Sequence, residues 1–285
     1  MAAVSIVIPA YNEEKGIRST LTELKAVMAK QDMDYEIIVV DDGSADGTAD
    51  AVRQHEQVRL VQHHSNRGYG AAIKTGIRQA THDWIGIIDA DGTYPAAAVP
   101  LLLAEMDQYD MIVGARTATD IPLVRRPAKW FLARLAEYLA ETKIPDLNSG
   151  LRLFKKEVAL GYFNILPTKF SFTITITIAF LSDHYVVRFV PIPYHERKGK
   201  SKISPVQDTL NFIQLILRTI MYFNPLKVLL PISFFLLLLA VGIGVYTLVM
   251  QGHVMDITVV TLTMAALQIA VIAMIADMIQ KKSKV

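Results

Sequence analysis

The chain has 285 residues, a formal net charge of +2 and no cysteine. That composition excludes a disulfide framework and cysteine–zinc sites, and nothing in it points to a nucleic-acid partner. The length allows one large domain or a domain with an appendage, and a hydrophobic content of 52% is high for a wholly soluble enzyme.

The N-terminal stretch MAAVSIVIPA lacks a basic n-region and a long apolar h-region, so no signal peptide is expected. VSIVIP (4–9) reads as a strand and 14–29 as a helix. YEIIVVDD (35–42) is a second strand, followed by a helix near 48–54. VRLVQH (58–63), a helix near 69–79, DWIGIID (83–89) and DMIVGAR (110–116) continue the alternation. Short apolar strands alternating with helices predict a parallel sheet covered on both faces, with ligands at the carboxyl ends of the strands. Those ends read PAYNE, DDGS, DAD and GAR, a convergence of polar groups.

Beyond residue 116 the pattern changes. Pro127 can open a helix that places Phe131, Leu132, Leu135, Tyr138 and Leu139 on one face, with Arg125, Arg126, Lys129 and Arg134 around it. Such a helix suits either packing on the core or lying in a membrane interface. FTITITI (172–178) alternates as a strand does. Over 206–223, Gln207, Asn211, Gln214 and Arg218 form one narrow polar stripe on an otherwise apolar helix, a pattern suited to the membrane interface.

Two uncharged runs, 228–249 and 257–276, are each about long enough to cross a bilayer core of roughly 30 Å. Only MQGHVMD separates them, which predicts a helical hairpin, and Gln268 is its one strongly polar intruder. The tail QKKSKV carries three lysines and the turn none, so positive-inside bias places both termini and the N-terminal domain in the cytoplasm. The domain plan is therefore a catalytic domain over 1–204, an interface helix over 205–224 and a hairpin over 225–285. Charge is uneven: residues 1–115 carry a net of −8 and residues 116–202 a net of +8. This suits metal and nucleotide on one side and an anionic surface on the other.

The chemistry centres on DADGTYP. Residues i and i+2 of an extended chain share a face, so Asp89 and Asp91 can approach one cation together. Mg²⁺ or Mn²⁺ held by two carboxylates keeps positions for phosphate oxygens and neutralises a diphosphate leaving group. DADGT also matches the nucleophile motif of haloacid-dehalogenase-type phosphatases. That motif belongs on the first strand with a later acidic pair, whereas here it ends the fourth and no such pair follows. DDGSADGT (41–48) reads either as a plain turn or as a base or ribose contact through Asp41. NRGYGAAIKTG (66–76) is not a dinucleotide fingerprint, because its third glycine would fall at Ile73, and no P-loop occurs.

IVIPAYNEE, VVDDGSADGT, NRGYGAAIKTG, DADGTYP, VGAR, DLNSGLRLF and HERKGKSK follow one another in this order. Together they resemble the family-2 glycosyltransferases, and more narrowly the polyprenyl-phosphate (dolichol-phosphate mannose synthase-like) members. The resemblance spans 4–204. It implies a GT-A fold, Rossmann-like, and transfer of a sugar from a nucleotide-sugar, GDP-mannose or a UDP-hexose, to a lipid phosphate. It implies that Pro9, Tyr11, Glu13 and Asp41 hold the nucleoside. Asp89 and Asp91 would hold metal and diphosphate, with Ala90 as a backbone contact. Arg116 would meet donor phosphates or acceptor, Ser149 and Arg152 would line the acceptor side, and Arg197 and Lys202 would gather phosphate. Thr93 stands where some relatives carry Gln, and FTITITI replaces a helix that often carries an acid, which leaves 172–178 open between strand and helix.

A phosphate monoester is already anionic near neutral pH, with a second pKa of about 6. It needs positive charge rather than a general base, and Arg116, Arg152, Arg197 and Lys202 are candidates. Asp146 is the best base candidate for a hydroxyl acceptor, and His195 is expected to be structural. The alternatives are a same-fold transferase acting on a hydroxyl and a non-catalytic nucleotide-sugar binder. The sequence leaves homo-oligomerisation open.

Overall fold

The computed structural model describes residues 3–116, 134, 137–138, 142–169, 171–195, 221–222, 224–253 and 256–282. The chain divides into two compact units, Met1–Leu215 and Ile216–Val285.

The first unit is a seven-stranded sheet of order β3-β2-β1-β4-β6-β5-β7. Its strands are β1 (Ala3–Ala10), β2 (Asp34–Asp41), β3 (Val58–Gln62), β4 (Trp84–Ile87), β5 (Met111–Arg116), β6 (Arg152–Lys155) and β7 (Val187–Ile192). All pairings are parallel except those of β6, which runs antiparallel to both β4 and β5. The five predicted strands are present; β6 and β7 were not predicted. β6 is four residues long, begins with Arg152 and ends with Lys155, too short and too polar at its ends to show a period.

Helices α1 (Glu14–Met28), α2 (Thr48–Arg53), α3 (Tyr69–Gln79) and α4 (Val99–Leu103) connect the parallel strands. Ile17, Leu21, Leu24 and Met28 of α1 recur at helical spacing and are fully buried with Val4, Ile6 and Ile8 of β1 in the core. Two further helices follow, α5 (Lys156–Gly161) and α6 (Phe172–Ser182).

α6 resolves FTITITI, open in the sequence between strand and helix, as a helix. Both faces of this stretch are buried, Ile174, Ile176 and Ile178 as well as Thr173, Thr175 and Thr177. A helix buried all round carries no amphipathic period, so the alternation of Thr and Ile reports only composition. The threonines are tolerated because their hydroxyls return to the helix: Thr175 donates to the Ser171 carbonyl and Thr177 to the Thr173 carbonyl.

The second unit is a pair of long helices, α7 (Pro225–Gln251) and α8 (Asp256–Lys282). Asn224 caps α7 by accepting from the Lys227 amide, and Gly252 ends it in the left-handed conformation at φ 71°. Small residues make the seam: Ala240, Ala266 and Ala273 are buried, and Ser233 donates to the Ala266 carbonyl at 2.7 Å. The other faces are apolar and exposed, with Phe234 at 62% and Phe235 at 63%. Stretches Pro225–Met250 and Ile257–Ile279 are long and apolar enough to cross a membrane, and 6% and 11% of their apolar windows are buried. A soluble core helix would be mostly buried, so this is the pattern of a membrane hairpin. Most of the helix expected over 206–223 and most of the one expected over 127–139 lie outside the described residues.

Candidate active site

β1 has β2 on one side and β4 on the other, and the chain leaves β2 and β4 toward opposite edges of the sheet. Such a switch point opens a crevice at the carboxyl ends of the strands. Ile88 still pairs with Val7 through its amide, and Asp89, Ala90 and Asp91 then turn out at the rim. α1 lies directly on this turn: a Cβ at Gly16 would fall 2.5 Å from the Ala90 carbonyl oxygen. Thr20 donates to that same carbonyl. The predicted backbone contact at Ala90 is thus already used inside the protein on its carbonyl side.

Asp89 is partly buried. The Tyr69 hydroxyl at the start of α3 donates to its Oδ1 at 2.8 Å. Its other oxygen packs against Gly150, where a Cβ would fall 1.9 Å from Oδ2, so any larger residue there would displace the carboxylate. Burial first, and the charge of Asp91 second, push the Asp89 carboxyl up to about 6, against the Tyr69 hydrogen bond and the charges of Arg152 and Arg116.

Asp91 is held by Thr93, whose amide and hydroxyl both donate to its Oδ1, at 3.1 and 2.6 Å. This gives Thr93 a role the sequence did not reveal: it fixes the direction of the second acid. The Thr93 carbonyl in turn accepts from the His195 amide at 2.9 Å. Tyr94, next in the chain, accepts from the Gly150 amide through its hydroxyl and meets Tyr194 edge-on, with ring centres 5.2 Å apart. The residues that introduce HERKGKSK are therefore tied to the acid turn. Arg197 and Lys202 themselves lie outside the described residues.

Arg116, at the end of β5, forms a bidentate pair with Asp146, Nε to Oδ2 at 2.6 Å and one terminal nitrogen to Oδ1 at 2.8 Å. Its guanidinium also lies over the Tyr194 ring, 5.3 Å from the centre. Burial pushes the Asp146 carboxyl up, but the hydrogen bonds and charge of Arg116 outweigh it and hold the group below the ordinary range. An acid so stabilised as its anion is a weak proton acceptor.

Ser149 and Arg152, expected from the resemblance to line the acceptor side, are both fully buried. Ser149 donates to the Gly114 carbonyl at 2.6 Å. Arg152 is gripped by neutral acceptors: the Ser149 carbonyl, the Thr173 carbonyl and the Thr177 hydroxyl. Thr173 and Thr177 lie one turn apart on α6, and both face the guanidinium. Burial lowers the Arg152 pKa, and the charge of Asp89 is among those that oppose the shift. Arg152 thus sits beneath the site as a countercharge to its acids.

On the other flank, Pro9 is buried in β1, while Tyr11 is exposed and Glu13 partly so. Asn12, at φ 54°, accepts from the Ala45 amide through its side chain and donates its own amide to Ser44 Oγ; the Glu13 amide donates to the Thr48 hydroxyl. The loops after β1 and β2 are stapled together by these bonds. Asp41 is buried and accepts from the Ser44 amide and from Gln62. Its neighbour Asp42, which sequence reasoning passed over, is the larger hub. It accepts from the Arg67 and Gly68 amides and from His63 Nδ1 at 2.6 Å, and so anchors the loop that carries Tyr69. Tyr69, Tyr94 and Gly150 were likewise missed, although each stands inside a motif whose glycines and acids drew attention first.

Among the described residues no group of three or more His, Cys, Asp or Glu gathers to hold a metal. Two hard carboxylates side by side at the rim fit a Mg²⁺ or Mn²⁺ completed by phosphate oxygens.

Residues 5–163 match the model of glycosyl transferase family 2, and residues 224–281 match the GtrB C-terminal hairpin. A dolichyl-phosphate hexose transferase of Haloferax volcanii is 30% identical over 206 residues, 71% of this chain and 87% of that protein. An undecaprenyl-phosphate 4-deoxy-4-formamido-L-arabinose transferase of Aeromonas hydrophila is 31% identical over 161 residues, 54% of this chain and 49% of that protein. In fold, the chain is similar to glucosyl-3-phosphoglycerate synthase of Mycobacterium tuberculosis in complex with Mn²⁺, UDP-glucose and phosphoglyceric acid. The TM-score is 0.59 at 19% identity, covering 77% of this chain and 80% of that one. Mannosyl-3-phosphoglycerate synthase of Rubrobacter xylanophilus superposes with a TM-score of 0.57 at 18% identity, covering 77% and 73%. An acid pair at the switch point, the ordered motifs around it and the matched hairpin lead to one conclusion: the chain is a glycosyltransferase and belongs to glycosyl transferase family 2.

Proposed function

We propose that this glycosyltransferase, with a GT-A catalytic domain over 1–204, transfers a sugar from a UDP- or GDP-sugar to a polyprenyl or dolichyl phosphate, with inversion at the anomeric carbon. The observation that carries the proposal is the Asp89–Asp91 pair at the crevice beside β1 and β4, where burial and the neighbouring charge raise the Asp89 carboxyl, in a chain that also holds an exposed apolar hairpin. The named activities of the two curated relatives support the lipid phosphate acceptor.

Asp89 and Asp91 would hold Mg²⁺ or Mn²⁺, which supplies charge neutralisation to the departing diphosphate. The complexes of the structural relatives with Mn²⁺ and UDP-glucose support this choice. Tyr69 and Thr93 orient the two carboxylates. Pro9, Tyr11, Glu13 and Asp41 form the nucleoside side, where Tyr11 and Glu13 have the exposed surface. The acceptor's phosphate oxygen attacks the anomeric carbon as the carbon–oxygen bond to the nucleoside diphosphate breaks. Its proton state at neutral pH makes a base unnecessary. The pairing of Asp146 with Arg116 favours this acceptor over a hydroxyl, because it takes away the best base candidate. Arg116, Arg197 and Lys202 gather the phosphate, while Ser149 and Arg152 support the acids from beneath. With both termini and the catalytic domain on the cytoplasmic face, the hairpin keeps the enzyme at headgroup level, which raises the effective concentration of the lipid.

The test incubates purified protein with labelled nucleotide-sugars, Mn²⁺ or Mg²⁺ and polyprenyl phosphate, and follows label into the organic phase. Label that stays with a water-soluble product, from a protein that binds nucleotide, would sink the lipid acceptor.

A further inference from the structure

We propose that Tyr194 is a positioning residue for Arg116: its ring holds one face of the guanidinium, so that the edge not taken by Asp146 is presented to the acceptor's phosphate. The proposal rests on the reading above in which Arg116 gathers that phosphate.

The sheet brings the two residues together. β5 and β7 pair in parallel, with Arg116 opposite Ile192. Tyr194 follows two residues later, and its ring centre lies 5.3 Å from the guanidinium carbon. The ring is itself held in place. Tyr94 meets it edge-on, with ring centres 5.2 Å apart and planes at 70°. The next residue, His195, donates its amide to the Thr93 carbonyl at 2.9 Å. Tyr194 is only partly buried against the core. Among the described residues its hydroxyl makes no hydrogen bond; what it offers is the ring.

A guanidinium has donor edges and two flat faces. Asp146 occupies one edge, through Nε at 2.6 Å and Nη2 at 2.8 Å, and the ring covers one face. The hydrogens of Nη1 and the second hydrogen of Nη2 remain. Among the described residues Nη1 has no partner, and this second edge has the geometry to meet a phosphate through two parallel bonds. The carboxylate alone leaves the guanidinium free to tilt about the line of its two bonds. The ring removes that freedom in advance, so less is lost when the phosphate arrives. An aromatic face also does this without cancelling the charge, because it attracts a cation while carrying none itself. A second carboxylate in its place would neutralise what the phosphate needs. The charge of Arg116 acts on Asp89 as well, so both lie on one crevice.

The test measures initial rates of the full chain in detergent, with labelled nucleotide-sugar, Mn²⁺ and undecaprenyl phosphate. Tyr194→Leu removes the ring and should raise KM for the lipid phosphate about three- to tenfold. Its kcat, its KM for the nucleotide-sugar and its Mn²⁺ dependence should stay within about twofold of wild type. Tyr194→Phe keeps the ring and should restore the lipid KM. Tyr194→Met serves the same comparison if the leucine variant does not fold. In an Arg116→Gln background the leucine substitution should add nothing, since the ring acts through the guanidinium. A phenylalanine variant as impaired as the leucine variant overturns the proposal, because the hydroxyl would then be what matters. A defect that falls on Mn²⁺ overturns it too, by moving the ring's role to Tyr94 and the acid turn. So does a full effect that persists without Arg116. Arg116→Gln alone separates the two levels. If its lipid KM matches wild type, the phosphate reading of Arg116 fails and the proposal with it. If that KM rises while Tyr194→Leu leaves it unchanged, only the role of Tyr194 is lost.

Discussion

Asp89 and Asp146 are carboxylates at the same carboxyl edge of one sheet, yet their surroundings differ in kind. Asp146 has a bidentate arginine and two backbone amides, those of Arg116 and Asn148, and its charge is satisfied within the fold. Asp89 has a tyrosine hydroxyl, a second acid nearby and a buried arginine whose hydrogen bonds all go elsewhere. The first acid stabilises the structure as it stands. The second is left short of positive charge, as a group awaiting a cationic ligand would be. The contrast separates support from function among residues of one type, and it can be broken at several points.

The largest effect is expected at Asp91. Asn at this position can still accept from the Thr93 amide and hydroxyl, and it removes a like charge beside Asp89. Asp91→Asn should therefore leave thermal unfolding within a degree or two of wild type while lowering kcat/KM by about two to three orders of magnitude, several kcal/mol of transition-state stabilisation. Retained activity in a folded variant would remove Asp91 from the metal assignment.

Arg152 tests the support beneath the acids. Arg152→Met deletes a fully buried guanidinium and leaves the Ser149 and Thr173 carbonyls and the Thr177 hydroxyl without their donor. Unsatisfied buried acceptors and a lost countercharge should together cost about 3 kcal/mol of stability, read as a lower melting temperature in nucleotide-free protein. An unchanged melting temperature would mean that the guanidinium does not hold α6 to the sheet.

These two residues also show how far the sequence could be read. Asp89 and Asp91 were legible because a strand that ends on two acids needs only local pattern. The parallel strands and the hairpin were legible for the same reason, through runs and periods. Arg152 was not: NSGLR looks like an exposed loop, and its burial depends on Thr173 and Thr177 in a helix that carries no helical period. Tyr69 and Gly150 reach Asp89 from 20 and 61 residues away, a meeting fixed by the order of strands rather than by spacing.

The Asp89–Asp146 contrast further predicts opposite dependence on pH. The Asp89 carboxyl rises from about 3.9 in the unfolded chain to about 6 in the folded one. The folded state then binds the extra proton, so stability from this group falls as pH rises from about 4 to about 6. Asp146, held low, contributes stability above its unfolded value that is lost as pH falls through the folded one. In metal-free protein, Asp89→Asn should thus gain roughly 2 kcal/mol over wild type at pH 7.5. At pH 4.5, where wild-type Asp89 is protonated, most of that gain should vanish. Melting curves of both proteins at the two pH values decide the matter; a variant less stable than wild type at pH 7.5 would show that Asp89 is already compensated.

The smallest effect is expected at Thr93, which joins the two regions. Its hydroxyl orients Asp91, and its carbonyl holds His195, next to the Tyr194 ring that lies under Arg116. Thr93→Val keeps the shape, the amide bond to Asp91 and the carbonyl bond to His195, and removes only the hydroxyl. The net worth of one hydrogen bond to a charged group is about 1.5–3 kcal/mol when nothing replaces it, and the retained amide bond reduces the loss. A fall of about five- to ten-fold in kcat/KM is therefore expected, concentrated in a weaker apparent affinity for Mn²⁺, with Thr93→Ser close to wild type. If Thr93→Val lowers activity without moving the Mn²⁺ dependence, the residue acts through His195 and the segment beyond it rather than through Asp91, and the two regions are more tightly joined than their electrostatics imply.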